Sequence, residues 1–292
     1  MDAFLQQLVN GLSLGSIYAL IALGYTMVYG IVGLINFAHG DVYMIGAYVG
    51  YAVTMYTGFG FIPALLISMV TCAVLGMLIE RIAYRPLRNS TRIAALITAI
   101  GVSLLLEYTM MAFVGAQVRA YPKVLDNQLF YVGDVIISSQ QIIIVITSIV
   151  LMILLQFVVH KTKRGRAMRA VSYDMDTAKM MGIEVDQTIS FTFLLGSALA
   201  GAAGVLVGIY YNSIDPLMGM MPGLKAFVAA VFGGIGSIPG AMIGGLSIGV
   251  IETLVAGYGG SLYRDAAVFA ILILVLLIRP SGLLGKKKGD KA

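Results

Sequence analysis

The placement of charge constrains this chain more than any other feature: long apolar runs follow one another, separated by a few short basic segments. Only Asp2 is charged among the first 30 residues, and 11% of the whole chain is Asp, Glu, Lys or Arg. A water-soluble domain carries about 25% charged residues, so this chain lacks the polar surface that a globule in water needs. With 59% hydrophobic residues it must be solvated by lipid instead. A membrane helix takes about 20 apolar residues, so 292 residues admit roughly nine or ten crossings at most and leave no room for a soluble domain. The expected fold is all-α, a single polytopic transmembrane helical bundle over residues 1–292. It should have about 8–9 membrane segments, one or two of them short or re-entrant. The first apolar stretch has no basic n-region and no obvious cleavage site, so it is expected to stay in the membrane.

All but four of the 19 Lys and Arg fall in three places. These are Arg81, Arg85, Arg88 and Arg92; then Lys161, Lys163, Arg164, Arg166, Arg169 and Lys179; then Arg279 with the tail lysines 286, 287, 288 and 291. Short basic segments stay cytoplasmic, so an even number of crossings separates each from the next. Helices at 93–114 and 141–159 satisfy this between the first two, with an outside loop carrying Arg119, Lys123, Asp126 and Asp134. Between the second and third, apolar runs at 189–211, 224–236, 239–258 and 266–278 do so if the short second one crosses. Earlier runs lie at 12–33, 42–56 and 61–79. Because 42–56 and 224–236 are short for a full span, the side of the N-terminus stays open. The net charge of +5 does not point to nucleic acid, since no basic stripe is interleaved with aromatics. Gly11 and Gly15, Gly204 and Gly208, Gly240 and Gly244, and Gly245 and Gly249 are each four apart, which favours close helix packing.

Several chemistries are missing. Cys72 is the single cysteine and sits in an apolar run, which removes a disulfide framework and a thiolate metal site. The string from Gly282 to Lys287 fails the phosphate-loop spacing, and Gly233 to Gly240 has Pro239 where a dinucleotide loop needs its third glycine. The second string fits a tight helix–helix turn better. With two histidines and no paired carboxylates, no catalytic residue and no metal site is assigned, and the chain is not expected to be an enzyme. Asp41, Glu107, Lys225 and Glu252 are the ionisable candidates for ion coupling. Glu107 and Glu252 fall in the outer parts of their helices, which fits interfacial or capping carboxylates.

Two constellations carry information. In the cytoplasmic segment 160–188, Val171, Met175 and Ala178, with Met181 or Gly182 beyond, recur at helical spacing. Ser172 suits the N-cap, Asp174 and Asp176 the first turn, and Gly182 a left-handed C-cap. The pattern predicts an amphipathic surface helix at 172–181, whose acidic polar face disfavours anionic lipid and favours docking into another protein. The second is the polar island Asn36, Phe37, Ala38, His39, Gly40 and Asp41, set between closely spaced apolar runs. It is either a conventional turn, with Asn36 as C-cap and Asp41 as N-cap, or a break that lines a substrate path. The candidate path residues are Asn36, Phe37, His39 and Gly40.

At these segments the sequence resembles the membrane-spanning permeases of ABC-type importers for branched-chain amino acids. The likeness runs through residues 10–50, including the strings Ser16 to Leu20 and Asn36 to Gly40, then Glu80 to Arg88 and residues 165–208. It continues through Lys225 to Gly240 and Arg279 to Gly282. The resemblance implies a bacterial inner-membrane subunit, working with a second permease, two ABC ATPase subunits, a periplasmic solute-binding protein and the surrounding membrane lipid. ATP and magnesium would then be bound by the ATPases and no cofactor by this chain. The resemblance also implies that the 172–181 helix, through Ser172, Asp174, Met175, Asp176, Ala178, Met181 and Gly182, couples to an ATPase, with the tail 279–292 cytoplasmic.

Under this reading ATP-driven closure pushes the cytoplasmic helix and reorients the bundle around a path. That path should carry little net charge, with helix N-termini near Asn36 or Gly223 meeting the substrate carboxylate. Permeases for urea, amides or other amino acids share much of the pattern. A self-sufficient channel or facilitator accounts for the glycines and the polar island but leaves the cytoplasmic helix unexplained.

Overall fold

The computed structural model describes residues 2–33, 36–88 and 90–285, so the tail lysines lie outside the described residues. In chain order the helices are α1 (Asp2–Val32), α2 (His39–Thr57), α3 (Phe61–Ile79), α4 (Arg92–Val114), α5 (Ser139–Lys161), α6 (Lys163–Tyr173) and α7 (Met175–Met180). They continue with α8 (Val185–Tyr211), α9 (Met220–Gly233), α10 (Ile238–Tyr258) and α11 (Arg264–Ile278). A π-helical turn (Glu80–Tyr84) and 3-10 turns at Arg85–Leu87 and Ser261–Tyr263 lie between helices, together with two small antiparallel ladders. Strand β1 (Arg119–Ala120) pairs with β4 (Ser213–Ile214), and β2 (Leu129–Val132) pairs with β3 (Val135–Ser138). Among the described residues seven helical stretches are long and apolar enough to cross a membrane, and α9 is a shorter apolar helix. The chain is a helical polytopic membrane protein.

Side-chain size decides which helices sit at the centre. The apolar windows of α1 and α8 are 83% and 89% buried, against 17% for α4 and 6% for α11. Both central helices are rich in Gly, Ala and Ser, which let backbones approach closely where lipid supplies no hydrophobic drive for association. The peripheral helices turn large residues outward: Leu66 and Val70 of α3, Ile153 and Phe157 of α5, and Leu277 of α11 are exposed. In water such faces would aggregate, whereas in hydrocarbon they are the solvated surface.

The glycine pairs find backbone opposite them. A Cβ on Gly15 would meet Leu246 and Gly245 of α10, and one on Gly249 would run into the Gly15 backbone. Gly11 faces Thr253 and Val250, so α1 and α10 run antiparallel. Gly204 lies on Tyr43 and Ala47 of α2, while Gly244 lies on Ala229 of α9. The Ser68 hydroxyl donates to the Gly46 carbonyl (2.8 Å) and the Gly201 carbonyl (3.0 Å), joining α3 to α2 and α8.

This register settles the orientation that charge counting left open. Gly30 lies against Gly236, in the turn between α9 and α10, and α10 ends near the N-terminal part of α1. The start of α1 is therefore on the face opposite the three basic segments, which the positive-inside rule makes the outer face. Helix α1 also begins at Asp2, ahead of the expected position 12. On the outer side, Ser138 and Gln141 form a reciprocal capping box at the start of α5. On the inner side the string Gly233 to Gly240 is the expected helix–helix turn: Ser237 caps α10 by accepting from the Gly240 amide (3.2 Å). The Leu283 and Leu284 amides then donate to the Phe232 and Gly233 carbonyls (2.9 Å each), satisfying the end of α9 with the segment that follows the turn at Arg279 to Gly282.

Candidate functional site

Two helices begin inside the bundle rather than at its surface. Helix α1 ends at Val32, and Gly33 at φ +70° turns the chain back inward. The chain enters α2 with His39 packed against Gly24, eight residues and about 12 Å above the inner end of α1. Helix α9 begins at the same depth, where Gly40 and Gly219 meet backbone to backbone and Gly223 lies on Gly40. A side chain at either Gly40 or Gly219 would strike the other's carbonyl group, so the approach requires glycine. The N-termini of α2 and α9 thus converge within the membrane, and each brings the partial positive charge of its helix dipole. Asp41, buried in the first turn of α2, lies beside Gly219 and balances them.

Each residue of the polar island has a distinct place. Asn36 is buried and accepts a hydrogen bond from the Tyr84 hydroxyl (2.8 Å), while its carbonyl accepts from the His39 amide (3.1 Å). Its expected role as C-cap of α1 is not seen, because the chain leaves helical geometry at Gly33. Nor is Asp41 the N-cap of α2: Ala38 occupies that position, so the carboxylate is freed for α9 and for Ser103. His39 is 1% exposed, edge-on to Tyr25 (4.8 Å between ring centres), with its Nε2 unpaired inside the bundle.

Phe37 and Asp41 line a cavity of about 200 Å³ together with Tyr25, Ile100, Ser103, Leu104, Glu107 and the start of α9 from Gly219 to Leu224. Ser103 donates to Asp41, and Glu107, one turn along α4, brings its carboxyl beside the same group. The interfacial reading of Glu107 is corrected here, since it is buried beside a second carboxyl group. Re-entry of the chain at Gly33 brings Asp41 to the depth of α4, which periodicity along single helices does not reveal.

Glu252 departs from the interfacial reading as well. It is fully buried and accepts from Lys225 Nζ (2.8 Å), which also meets Asp265 (2.6 Å), while Arg264 Nε lies 3.2 Å from Glu252. This network ties the short α9 to α10 and α11. Removing one partner of a buried pair strands the other, so Lys225→Met is expected to cost about 3 kcal/mol of stability. Glu252→Gln added to it should recover most of the loss. Thermal unfolding of the wild type and the two purified variants checks this, and an unrecovered double variant would assign the loss to packing.

The cytoplasmic segment folds as two helices where one was expected. Helix α6 runs to Tyr173, and the Ser172 hydroxyl donates back to the Arg169 carbonyl (2.8 Å) instead of capping. Asp174 breaks the helix with extended backbone and caps α7 by accepting from the Thr177 amide (2.8 Å). Gly182, at φ +79°, closes α7 as expected: its amide bonds the Lys179 carbonyl and the Ile183 amide bonds the Ala178 carbonyl. Val171 and Ala178 are buried and Met175 packs on the core, but Met181 points outward, contrary to the helical spacing carried through from 171. The inward phase of 171, 175 and 178 survives the break at Asp174, but α7 ends at Met180 and leaves Met181 as its outward C-cap. Tyr173, Met180 and Met181 are 88%, 80% and 78% exposed and form an apolar tip beside Asp176.

That tip is fastened to the bundle. The Arg164 guanidinium stacks over the Phe191 ring (4.8 Å) of α8, and the Gly182 turn leads directly into α8. Asp186, in the first turn of α8, pairs with Arg85 and Arg88, and Arg88 also meets Glu80 in the π-helical turn after α3. Ser190 donates to the same Glu80. Helix α8 then runs past Gly24 and α2 to the outer face, so one rigid element joins the cytoplasmic tip to the junction inside the membrane. Among the described residues no cluster of three His, Cys, Asp or Glu is placed to hold a metal.

The family model described as branched-chain amino acid transport system / permease component matches residues 7–278. The chain belongs to this family. The permease is 47% identical to the high-affinity branched-chain amino acid transport system permease protein LivH of Salmonella typhimurium, over 99% of this chain and 97% of that protein. It is 45% identical to the corresponding permease protein BraD of Pseudomonas aeruginosa, over 99% and 98%. Among solved structures, a chain of PsaBC from Streptococcus pneumoniae in complex with Fab superposes with a TM-score of 0.51 at 14% identity. That match covers 95% of the permease and 92% of that chain. This last likeness extends to the fold alone.

Proposed function

We propose that this permease is the membrane-spanning subunit of an ATP-driven ABC importer that carries leucine-, isoleucine- and valine-type amino acids across the bacterial inner (cytoplasmic) membrane. The observation that carries the reading is identity of 45% and 47% to BraD and LivH along almost the entire chain. A second permease, two ABC ATPase subunits holding ATP and magnesium, and a periplasmic solute-binding protein complete the machine. The chain itself performs no covalent chemistry.

Coupling runs through α7. An ATPase surface that receives Tyr173, Met180 and Met181 moves the α6–α7 unit when it closes on ATP. Arg164 on Phe191 and the Gly182 turn pass that displacement to α8. Because α8 packs on α1, α2 and α3, its shift moves the facing N-termini of α2 and α9 and opens or closes the path there. A binding protein that captures substrate outside would supply the affinity, so the path needs only weak contacts.

Reconstitution tests this. The permease with its partner permease, ATPases and a leucine-loaded binding protein should take up leucine into proteoliposomes only when ATP is present. Leucine movement by the purified permease alone, without ATP, would overturn the reading in favour of a facilitator.

A further inference from the structure

We infer that the cavity between α4 and the α2–α9 junction is a stopping place for the transported amino acid, with the Asp41 and Glu107 carboxylates receiving its α-ammonium group and the α9 N-terminus its carboxylate. The inference rests on the transport reading above and adds the residues that hold the substrate.

Three observations converge on it. The cavity of about 200 Å³ has the room of roughly seven waters, enough for a solute of amino-acid size and too little for an oligosaccharide or a peptide. Its walls divide by chemistry. Phe37, Ile100, Leu104 and Leu224 offer an aliphatic and aromatic face, and Asp41, Ser103 and Glu107 an anionic one. Glu107 is 8% exposed, its carboxyl group is hydrogen-bonded to that of Asp41, and among the described residues no cation is placed on either. Two carboxyls that share one proton keep a single negative charge between them, which inside a membrane is costly unless a cation visits it. The two other buried glutamates have cations of their own, Glu80 in Arg88 and Glu252 in Lys225 and Arg264, so the pair at Asp41 and Glu107 is the one left for a ligand. The start of α9 at Met220 borders the same space, and the positive end of its dipole suits the carboxylate of a zwitterion.

The test uses the assembled transporter in proteoliposomes. ATP-driven leucine uptake by the wild-type complex establishes the underlying reading, and its absence would fail that reading rather than this one. On that background Glu107→Gln is expected to lower the leucine carried per ATP hydrolysed by about tenfold, the loss for one charged hydrogen bond, with Glu107→Asp recovering part of it. Unchanged stoichiometry in Glu107→Gln would overturn the proposal.

A second variant guards against misfolding. The native thiol, Cys72, is sealed in the bundle and donates to the Val42 carbonyl (3.4 Å), so Ser103→Cys adds the one reachable thiol among the described residues. A cationic methanethiosulfonate should label it about tenfold faster than an anionic one, because two carboxylates face it. Leucine presented by the binding protein during turnover should slow the labelling. Equal rates for both reagents, or protection by sodium ions in place of leucine, would assign the carboxylates elsewhere and overturn the proposal.

Discussion

Glutamate at both Met180 and Met181 is expected to abolish ATP-driven uptake, by about a hundredfold, while the chain still inserts and folds. Both side chains stand almost wholly in water, so neither contributes to the fold of the isolated chain. In a docked complex each buried methionine is worth about 1.5–3 kcal/mol, and a buried unpaired charge costs more. A combined loss of about 3 kcal/mol is roughly a hundredfold in affinity. The readouts are co-purification of the ATPases and leucine uptake in the same preparation. Retained ATPase binding and uptake would remove α7 from the coupling role. Met175 and Gly182 are poorer probes: the first packs on the core and the second needs its positive φ, so changes there mix coupling with local unfolding.

Leucine at Gly249 is expected to prevent the bundle from packing at all. Its Cβ would enter the backbone of Gly15, which cannot move without displacing α1, the most connected helix of the core. Overpacking a core costs about 1–3 kcal/mol when side chains can yield, and more here because the obstacle is main chain. The monodisperse fraction of detergent-solubilised protein should fall by about tenfold or more. Gly101→Leu, on the open face of α4 with nothing near its Cβ, serves as the control and should leave that fraction unchanged. Equal behaviour of the two variants would mean that the α1–α10 contact is dispensable.

Much of this architecture was legible in one dimension. The apolar runs marked the membrane helices to within a few residues, apart from the start of α1, and the Gly11/Gly15 and Gly245/Gly249 spacings marked a contact that the fold uses, since small residues four apart make a flat helical face. Gly182 announced its left-handed turn because few other residues adopt that backbone. The failures have a common cause. Ser172 and Asp174 both suit an N-cap by chemistry, and only the extended backbone at Asp174 chooses between them, while the end of α7 at Met180 leaves Met181 outward. Glu107 and Glu252 look alike as single acids in apolar helices, yet one meets Asp41 and the other Lys225.

The sequence by itself determined that this chain is a lipid-solvated bundle, which way its basic segments face, and that a compact helix stands out on the cytoplasmic side. These follow from transfer of charge and apolar surface between water and hydrocarbon, which acts on each segment independently. The tertiary structure decided the side of the N-terminus, the meeting of α2 and α9 inside the membrane, and the grouping of Asp41, Ser103 and Glu107 around one cavity. Those depend on how helices far apart in the chain are set against one another, and close packing across Gly40, Gly219 and Gly223 fixes that arrangement in three dimensions.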